Sequence, residues 1–520
     1  MVNLASEIHA NDETGTGVAT DIKDRLSQEL VFALIGPVAS GVSTVAAQIE
    51  DLLKSRFGYK VCEIIKPSDI IENEAHRVST STIPKTPISK RIQALQNAGN
   101  ELREKYGNNY LIEKSIEKIV EFRKANDGYK DHLLLPGRRA YIIDSLKNPE
   151  ELELLKQIYG ATLCVFGVFS PDEIRRQRLI DNGAKEDDVR TITSRDDNEV
   201  ISFGQKTRKI FEKADFFICN DQKEDVLRVK VQRYLDLIFG TKVITPNRAE
   251  SAMYEASSIA VNSGCMSRQV GAAIVSKNGE LISVGWNDVP KFTGGLYCED
   301  DQYVIHDQKV EDLDNRCFKW KQKKCHNEIR KNAIIDDIII KANEKELVKK
   351  DSDKEKLKEI IQSTDISNLI EFSRSIHAEM EAILAVAREG KHSLVGSTLY
   401  SKTYPCHNCA RHIVAAGIKE VIYIEPYRKS LATDLHSDAV TENPNDKTRV
   451  IFRQYDGVAP RKFRKLFTPR GERKEDGYVV VQDPKKVNPV LQIALDSNAE
   501  YEAKVIADLE EKEHSDSRDS

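Results

Sequence analysis

Two short clusters constrain this chain more than any other feature. They are His377-Ala378-Glu379 and Pro405-Cys406-His407-Asn408-Cys409, the second starting 26 residues after Glu379. One imidazole and two thiols make three ligands for a metal and leave a fourth position for water. For the three to meet, the intervening chain must close on itself. The local patterns indicate how. "IHAEMEAILAVARE" has helical spacing, "STLYSKT" reads as a strand, "CHNCARHIVAAGI" as a helix and "EVIYIE" as a strand. The last three make a β-α-β unit, so their strands should be parallel. Both ligand clusters then open helices, where the dipole favours thiolate over thiol.

H-x-E followed by P-C-x-x-C is the signature of zinc nucleobase deaminases. Imidazole and thiolate suit zinc, which makes hydroxide available near neutral pH. The expected ligands are His377, Cys406 and Cys409. Glu379 is expected close to the metal without ligating it. Its expected role is to take a proton from water, protonate the pyrimidine ring nitrogen and later protonate the departing ammonia. His407 and His412 read as surface or supporting residues.

Upstream, "SGCMSRQVGAAIVSKNGELISVGWNDVP" contains two strands joined by Asn278-Gly279, a strong hairpin signal. Its Ser263, Cys265, Arg268, Val270-Gly271-Ala272, Gly285-Trp286-Asn287 and Pro290, with the zinc motif, resemble deoxycytidylate deaminases. The resemblance implies that Asn287 contacts the nucleotide sugar, since an amide both donates and accepts. Arg268 is a candidate phosphate contact through its guanidinium fork, or else a surface ion pair. The spacing around Arg268 departs slightly from the family pattern. Tyr427 is a candidate to stack on the base or hold the sugar, or else a core tyrosine. Arg428 and Lys429 are candidates to reach phosphates, or are simply solvated.

The first half carries a different motif. In "LIGPVASGVST", Gly36 and Gly41 have the G-x-x-x-x-G-K-[ST] spacing and Ser43 and Thr44 follow, but Val42 stands in the lysine position. The apolar run "ELVFALIG" precedes it and the helical "TVAAQIEDLLKSRF" follows, the context a phosphate loop requires. "YKVCEII", "AYIIDSL", "ATLCVFGVF" and "ADFFICN" read as further buried strands, with helices such as Lys90–Tyr106 and Pro149–Tyr159 between them. This alternation predicts a mainly parallel sheet. Asp144 falls at a strand end, where a Mg2+-organising acid sits. With Arg175, Arg176 and Arg178 as a lid, this half resembles nucleoside-monophosphate kinases. An aliphatic Val42 cannot stabilise charge on transferred phosphates. The loop amides and Ser43 still can hold a nucleotide, ATP or a dNTP with Mg2+.

The fold class is therefore α/β: a P-loop, kinase-like parallel-sheet domain followed by a cytidine-deaminase-like α/β/α domain with a helical insertion. The expected boundaries are a polar segment 1–27, the first domain 28–243, the second 244–497 with an insertion at about 291–371, and an acidic tail 498–520, frayed beyond one short helix. Thr245 and Pro246 are expected to start the first helix of the second domain.

This pairing of domains resembles the bacterial antiphage dCTP deaminases. The resemblance implies conversion of dCTP or dCMP to the uracil nucleotide, depletion of dCTP during phage infection and restraint by a small inhibitory RNA; a homo-oligomer is expected besides. The net charge of −5 gives no global attraction to nucleic acid or anionic membrane. No signal peptide or membrane-length apolar run is seen, so a cytoplasmic protein is expected. Nine scattered cysteines then favour metal or catalysis over disulfides. Cys298, His306, Cys317, Cys325 and His326 in the insertion are candidates for a second zinc, or else buried free thiols and histidines. Two rival classes stay open: a polynucleotide cytosine-editing deaminase whose first half binds RNA or single-stranded DNA, and a non-catalytic zinc sensor.

Overall fold

The computed structural model describes residues 26–80, 82–130, 133–197, 203–301, 303–306, 309–347, 351–426, 430–469, 471–493 and 495–516. The described residues fall into two compact units, those up to 244 with those from 468 on, and those of 245–467.

In the first unit the apolar runs become strands β1 (Leu30–Ile35), β2 (Val61–Ile65), β3 (Arg139–Leu146), β4 (Leu163–Phe169) and β5 (Phe216–Cys219). They pair in parallel in the order β5-β4-β1-β3-β2. Every residue of β1 and β4 is buried, as expected for strands covered on both faces. β1 is central, and its C-terminal end runs through the Gly36–Gly41 loop into helix α1 (Val42–Ser55). Gly41 has φ +85°, a conformation that favours glycine over L side chains.

The domain boundaries differ from the sequence expectation in one place. Residues 468–497 and the acidic tail pack with the first unit, not the second. The tail is a 22-residue helix, Leu495–Asp516, held by a buried ion network. Arg123, fully buried, donates to Glu502 through Nη1 at 2.6 Å and to Glu29 through Nη2 at 2.9 Å. Tyr159 Oη donates to Glu502 Oε1 at 2.8 Å. Composition alone reads this segment as solvated because the partners lie hundreds of residues away. Arg123→Leu should destabilise the protein by about 3 kcal/mol, because it leaves the buried Glu502 without its cation, while Glu29 keeps Arg139. Urea unfolding measures this.

The second unit opens with helix α2 (Arg248–Ile259). Its cap is Asn247 and not Thr245. Asn247 Oδ1 accepts from the Glu250 N–H, and the Glu250 carboxylate accepts from the Asn247 N–H, a reciprocal capping box. Strands β6 (Gly271–Val275) and β7 (Leu281–Trp286) form the antiparallel hairpin read from Asn278-Gly279. Insertion helices His326–Glu344 and Asp351–Gln362 follow. Then come α3 (Ala378–Glu389), β8 (Thr398–Thr403), α4 (His407–Ala415), β9 (Glu420–Glu425), β10 (Val440–Thr441) and β11 (Val450–Gln454). The sheet order is β10-β11-β9-β8-β6-β7. β8 and β9 are parallel, as the β-α-β reading required.

Two glycines press helices onto opposite faces of this sheet. Gly271 pairs with Trp286 and Gly285 with Ala272, so the two glycines face opposite ways. A Cβ on Gly271 would lie 2.0 Å from Ala256 O of α2, and one on Gly285 would lie 2.4 Å from Ala382 N of α3. The result is an α/β/α sandwich with α3, which carries Glu379, seated on the hairpin.

Candidate active site

His377 and Cys406 are the N-cap residues of α3 and α4. Both helices therefore aim their positive ends at one point. His377 Nδ1 lies 3.4 Å from Cys406 Sγ and 3.3 Å from Cys409 Sγ. Tetrahedral zinc with ordinary Zn–S and Zn–N bonds requires an N···S separation of about 3.5 Å, so the donor set fits one zinc ion. Among the described residues this is the one group of three such ligand atoms that converge.

Glu379 is buried, with Oε2 3.6 Å from Cys409 Sγ. Burial raises its carboxyl above the usual carboxylate range. Cys406 is pulled down to about 4, first by its hydrogen bond from Cys409 and then by the His377 imidazole. The bond with Cys406 in turn lifts His377 to about 9. A bound cation expels the protons of such a trio, since only neutral imidazole and thiolate ligate.

The site opens into a cavity of about 270 Å³ lined by His377, Glu379, Cys406, Asn287, Arg268 and Arg374, among others. Asn287 is buried and braces the loop before β6. Its Oδ1 accepts from the Val270 N–H at 2.8 Å and its Nδ2 donates to Arg268 O at 2.8 Å. One lone pair and one N–H stay available to a ligand. Arg268 lines the cavity with half its side chain exposed and forms an ion pair with Glu425. Tyr427, Arg428 and Lys429 lie outside the described residues.

Sequence reasoning missed Arg374. It stands three residues before His377, donates to Asn315 O at 2.9 Å and stacks 3.7 Å above the Trp320 ring. Its partners come from the insertion, so only its closeness to the H-A-E motif could have marked it. Among the described residues, the candidate second-metal side chains form no converging group of three ligand atoms. Cys317, Cys325 and His326 line the cavity together with Cys265, while Cys298 bonds Asp301 at 3.3 Å. The His306 side chain lies outside what is described.

In the first unit, Ser43 Oγ donates to Asp144 Oδ2 at 2.6 Å, bringing the loop hydroxyl expected to hold a nucleotide to the acid expected to organise Mg2+. Gly36, Gly41 and Thr44 lie in the loop and first turn of α1, and Val42 is buried against the loop. Arg178 donates to Ala39 O at 3.1 Å, whereas Arg176 pairs with Glu186. No helix among the described residues is long and apolar enough to cross a membrane.

The cytidine and deoxycytidylate deaminase zinc-binding region matches residues 246–425. The deoxycytidylate deaminase of Enterobacteria phage T4 is 32% identical over 193 residues, covering 35% of this chain and 80% of the phage protein. A UPF0200 protein of Saccharolobus islandicus is 26% identical over 210 residues, 40% of this chain and 93% of the archaeal one. The dCMP deaminase structure from cyanophage S-TIM5 is 18% identical, covers 41% of this chain and all (100%) of its own, and has a TM-score of 0.22. By the extent of the phage T4 match and the family region that contains the metal trio, the chain belongs to the cytidine and deoxycytidylate deaminase family.

Proposed function

We propose that the second unit deaminates a free deoxycytidine nucleotide, dCMP or dCTP, with water, giving the uracil nucleotide and ammonia. The observation that carries this reading is the convergence of His377, Cys406 and Cys409 beside a buried carboxylate in a cavity of nucleobase scale. His377, Cys406 and Cys409 hold zinc, which when bound makes water acidic enough to supply hydroxide near neutral pH. Glu379 moves the protons. It accepts one from water and delivers it to the ring nitrogen, then takes the proton of the hydroxyl added at C4 and delivers it to the leaving amine. Water's oxygen becomes the C4 carbonyl as the C4–N bond breaks. Burial of Glu379 supports this role, because a raised carboxyl pKa makes the acid form accessible when a proton must be given up.

Asn287 orients the sugar with the hydrogen-bonding capacity its backbone contacts leave over. Asn287→Ala is expected to lower kcat/KM for dCMP by about tenfold or more, the worth of about one buried hydrogen bond to a polar group. Steady-state kinetics reads this. Arg268 would leave Glu425 to meet a phosphate. The loop of the first unit binds a nucleotide without turning it over. Depletion of dCTP in antiphage defence, a homo-oligomeric state and an inhibitory RNA belong to the same reading, supported by the resemblance of the fused architecture.

The test is a substrate panel. Purified protein is incubated with dCMP, dCTP, CTP and single-stranded DNA, and products are separated by chromatography. Conversion of dCMP or dCTP supports the reading. Deamination confined to the polynucleotide would overturn it in favour of an editing enzyme.

A further inference from the structure

The deamination proposed above uses none of the loop residues of the first unit, yet that loop is built with care. Ala39 and Gly41 both have positive φ, 65° and 85°, with Ser40 between them. Such alternation turns successive backbone N–H groups into an anion-binding concavity. Ser40 Oγ is buried, lies 2.5 Å from where a Gly36 Cβ would be, and has no hydrogen-bond partner among the described residues. Val42 brings no ammonium.

Another lysine stands at the loop. Lys147 follows β3, three residues after Asp144. Its Nζ donates to Gly36 O at 2.9 Å and lies 2.7 Å from Asp196 Oδ1. Asp196, in the last turn of the helix Glu186–Asp197, is 1% exposed. Its other oxygen, Oδ2, accepts from the Val38 N–H of the loop at 2.8 Å. A carboxylate thus sits on a loop amide with a lysine beside it, as a phosphate oxygen would. The strand is distorted to permit this. Ser145 has φ 81°, and the β1–β3 register passes from Leu34↔Asp144 to Ile35↔Leu146, skipping Ser145. Such a bulge re-aims side chains. Asp144 meets Ser43 on one side of it, and Lys147 meets Gly36 on the other.

We propose that Lys147 is the phosphate-binding lysine of this loop, and that Asp196 holds the phosphate position until a nucleoside polyphosphate displaces it. The inference rests on the reading that the loop binds nucleotide. A polyphosphate with Mg2+ fits both ends of the site. Phosphate oxygens take the loop amides and Lys147, and the cation lies toward Ser43 and Asp144. The Asp196 side chain, in the last turn of the helix Glu186–Asp197, has to leave the Val38 amide for the ligand to enter.

The test titrates ATP and inorganic pyrophosphate, each with Mg2+, into the full chain by calorimetry. The variants are Asp196→Asn, Lys147→Met, Lys147→Arg and the double variant Lys147→Met/Asp196→Asn, which leaves no buried charge unpaired. Deamination of dCMP is followed in parallel and should be unchanged in all of them. Removing a competitor that fills most of the sites raises apparent affinity in proportion, so Asp196→Asn should bind about tenfold tighter than wild type. The double variant should lose that affinity, and Lys147→Arg should keep wild-type binding within a few-fold. Equal binding by wild type and Asp196→Asn, or tight binding by the double variant, would overturn the proposal while leaving the loop as a nucleotide site. No binding by wild type or by Asp196→Asn would overturn both.

Discussion

Glu379→Gln should retain zinc at the wild-type stoichiometry and deaminate dCMP about 10²–10⁴ times more slowly, a loss of about 3–5 kcal/mol in transition-state stabilisation. Glutamine matches glutamate in size and can fill the same buried space beside Cys409. It cannot carry a proton between water, ring nitrogen and amine. The carboxylate is not one of the three converging ligands, so metal content should not fall. Folding should not suffer either, because the change removes a group whose charged form burial disfavours. Rapid kinetics with metal analysis on the same sample separates the two roles. Activity within tenfold of wild type would remove Glu379 from the proton path.

Cys409→Ala should lose zinc and activity together. Cys409 is 1% exposed and is one of the three donors that converge among the described residues, so alanine leaves an imidazole and one thiolate, too few to compete for the ion. Zinc is expected to drop from about one per chain to less than about a tenth. The unfolding transition of the second unit should also shift down, since Cys406 and Cys409 belong to the core that joins α3, α4 and the sheet. Adding zinc back should restore neither property. Full zinc retention with lost activity would mean that the ligand set has been misread.

How far the sequence carries depends on the range of the interactions. Hairpin turn, β-α-β unit and both ligand-bearing helices are local patterns, and His377 and Cys406 emerged at the caps that these patterns placed. The parallel sheet of the first unit was legible from its apolar runs for the same reason. The C-terminal helix was legible only as one short helix in an acidic tail; its full length and its docking were not, because only the fold brings Glu502 to Arg123 and Tyr159. The cap at Asn247 was legible in principle, because Glu250 three residues on completes a capping box that Thr245 lacks. Arg374 and Lys147 stayed hidden because their partners, Trp320 and Asp196, come from distant helices or an insertion with no periodic signal. Val42 looked like a defect. The structure shows an ammonium at the same loop, delivered from the neighbouring strand end.

The measurement that bears most directly on zinc-dependent nucleotide deamination is ammonia release from dCMP by the purified full chain, before and after zinc is stripped with a chelator and restored. Ammonia and dUMP are expected in equal amounts from the zinc-loaded protein, none from the stripped protein, with recovery when zinc is returned. Deamination that persists without metal, or zinc-loaded protein that forms no dUMP from dCMP and no dUTP from dCTP, would contradict this.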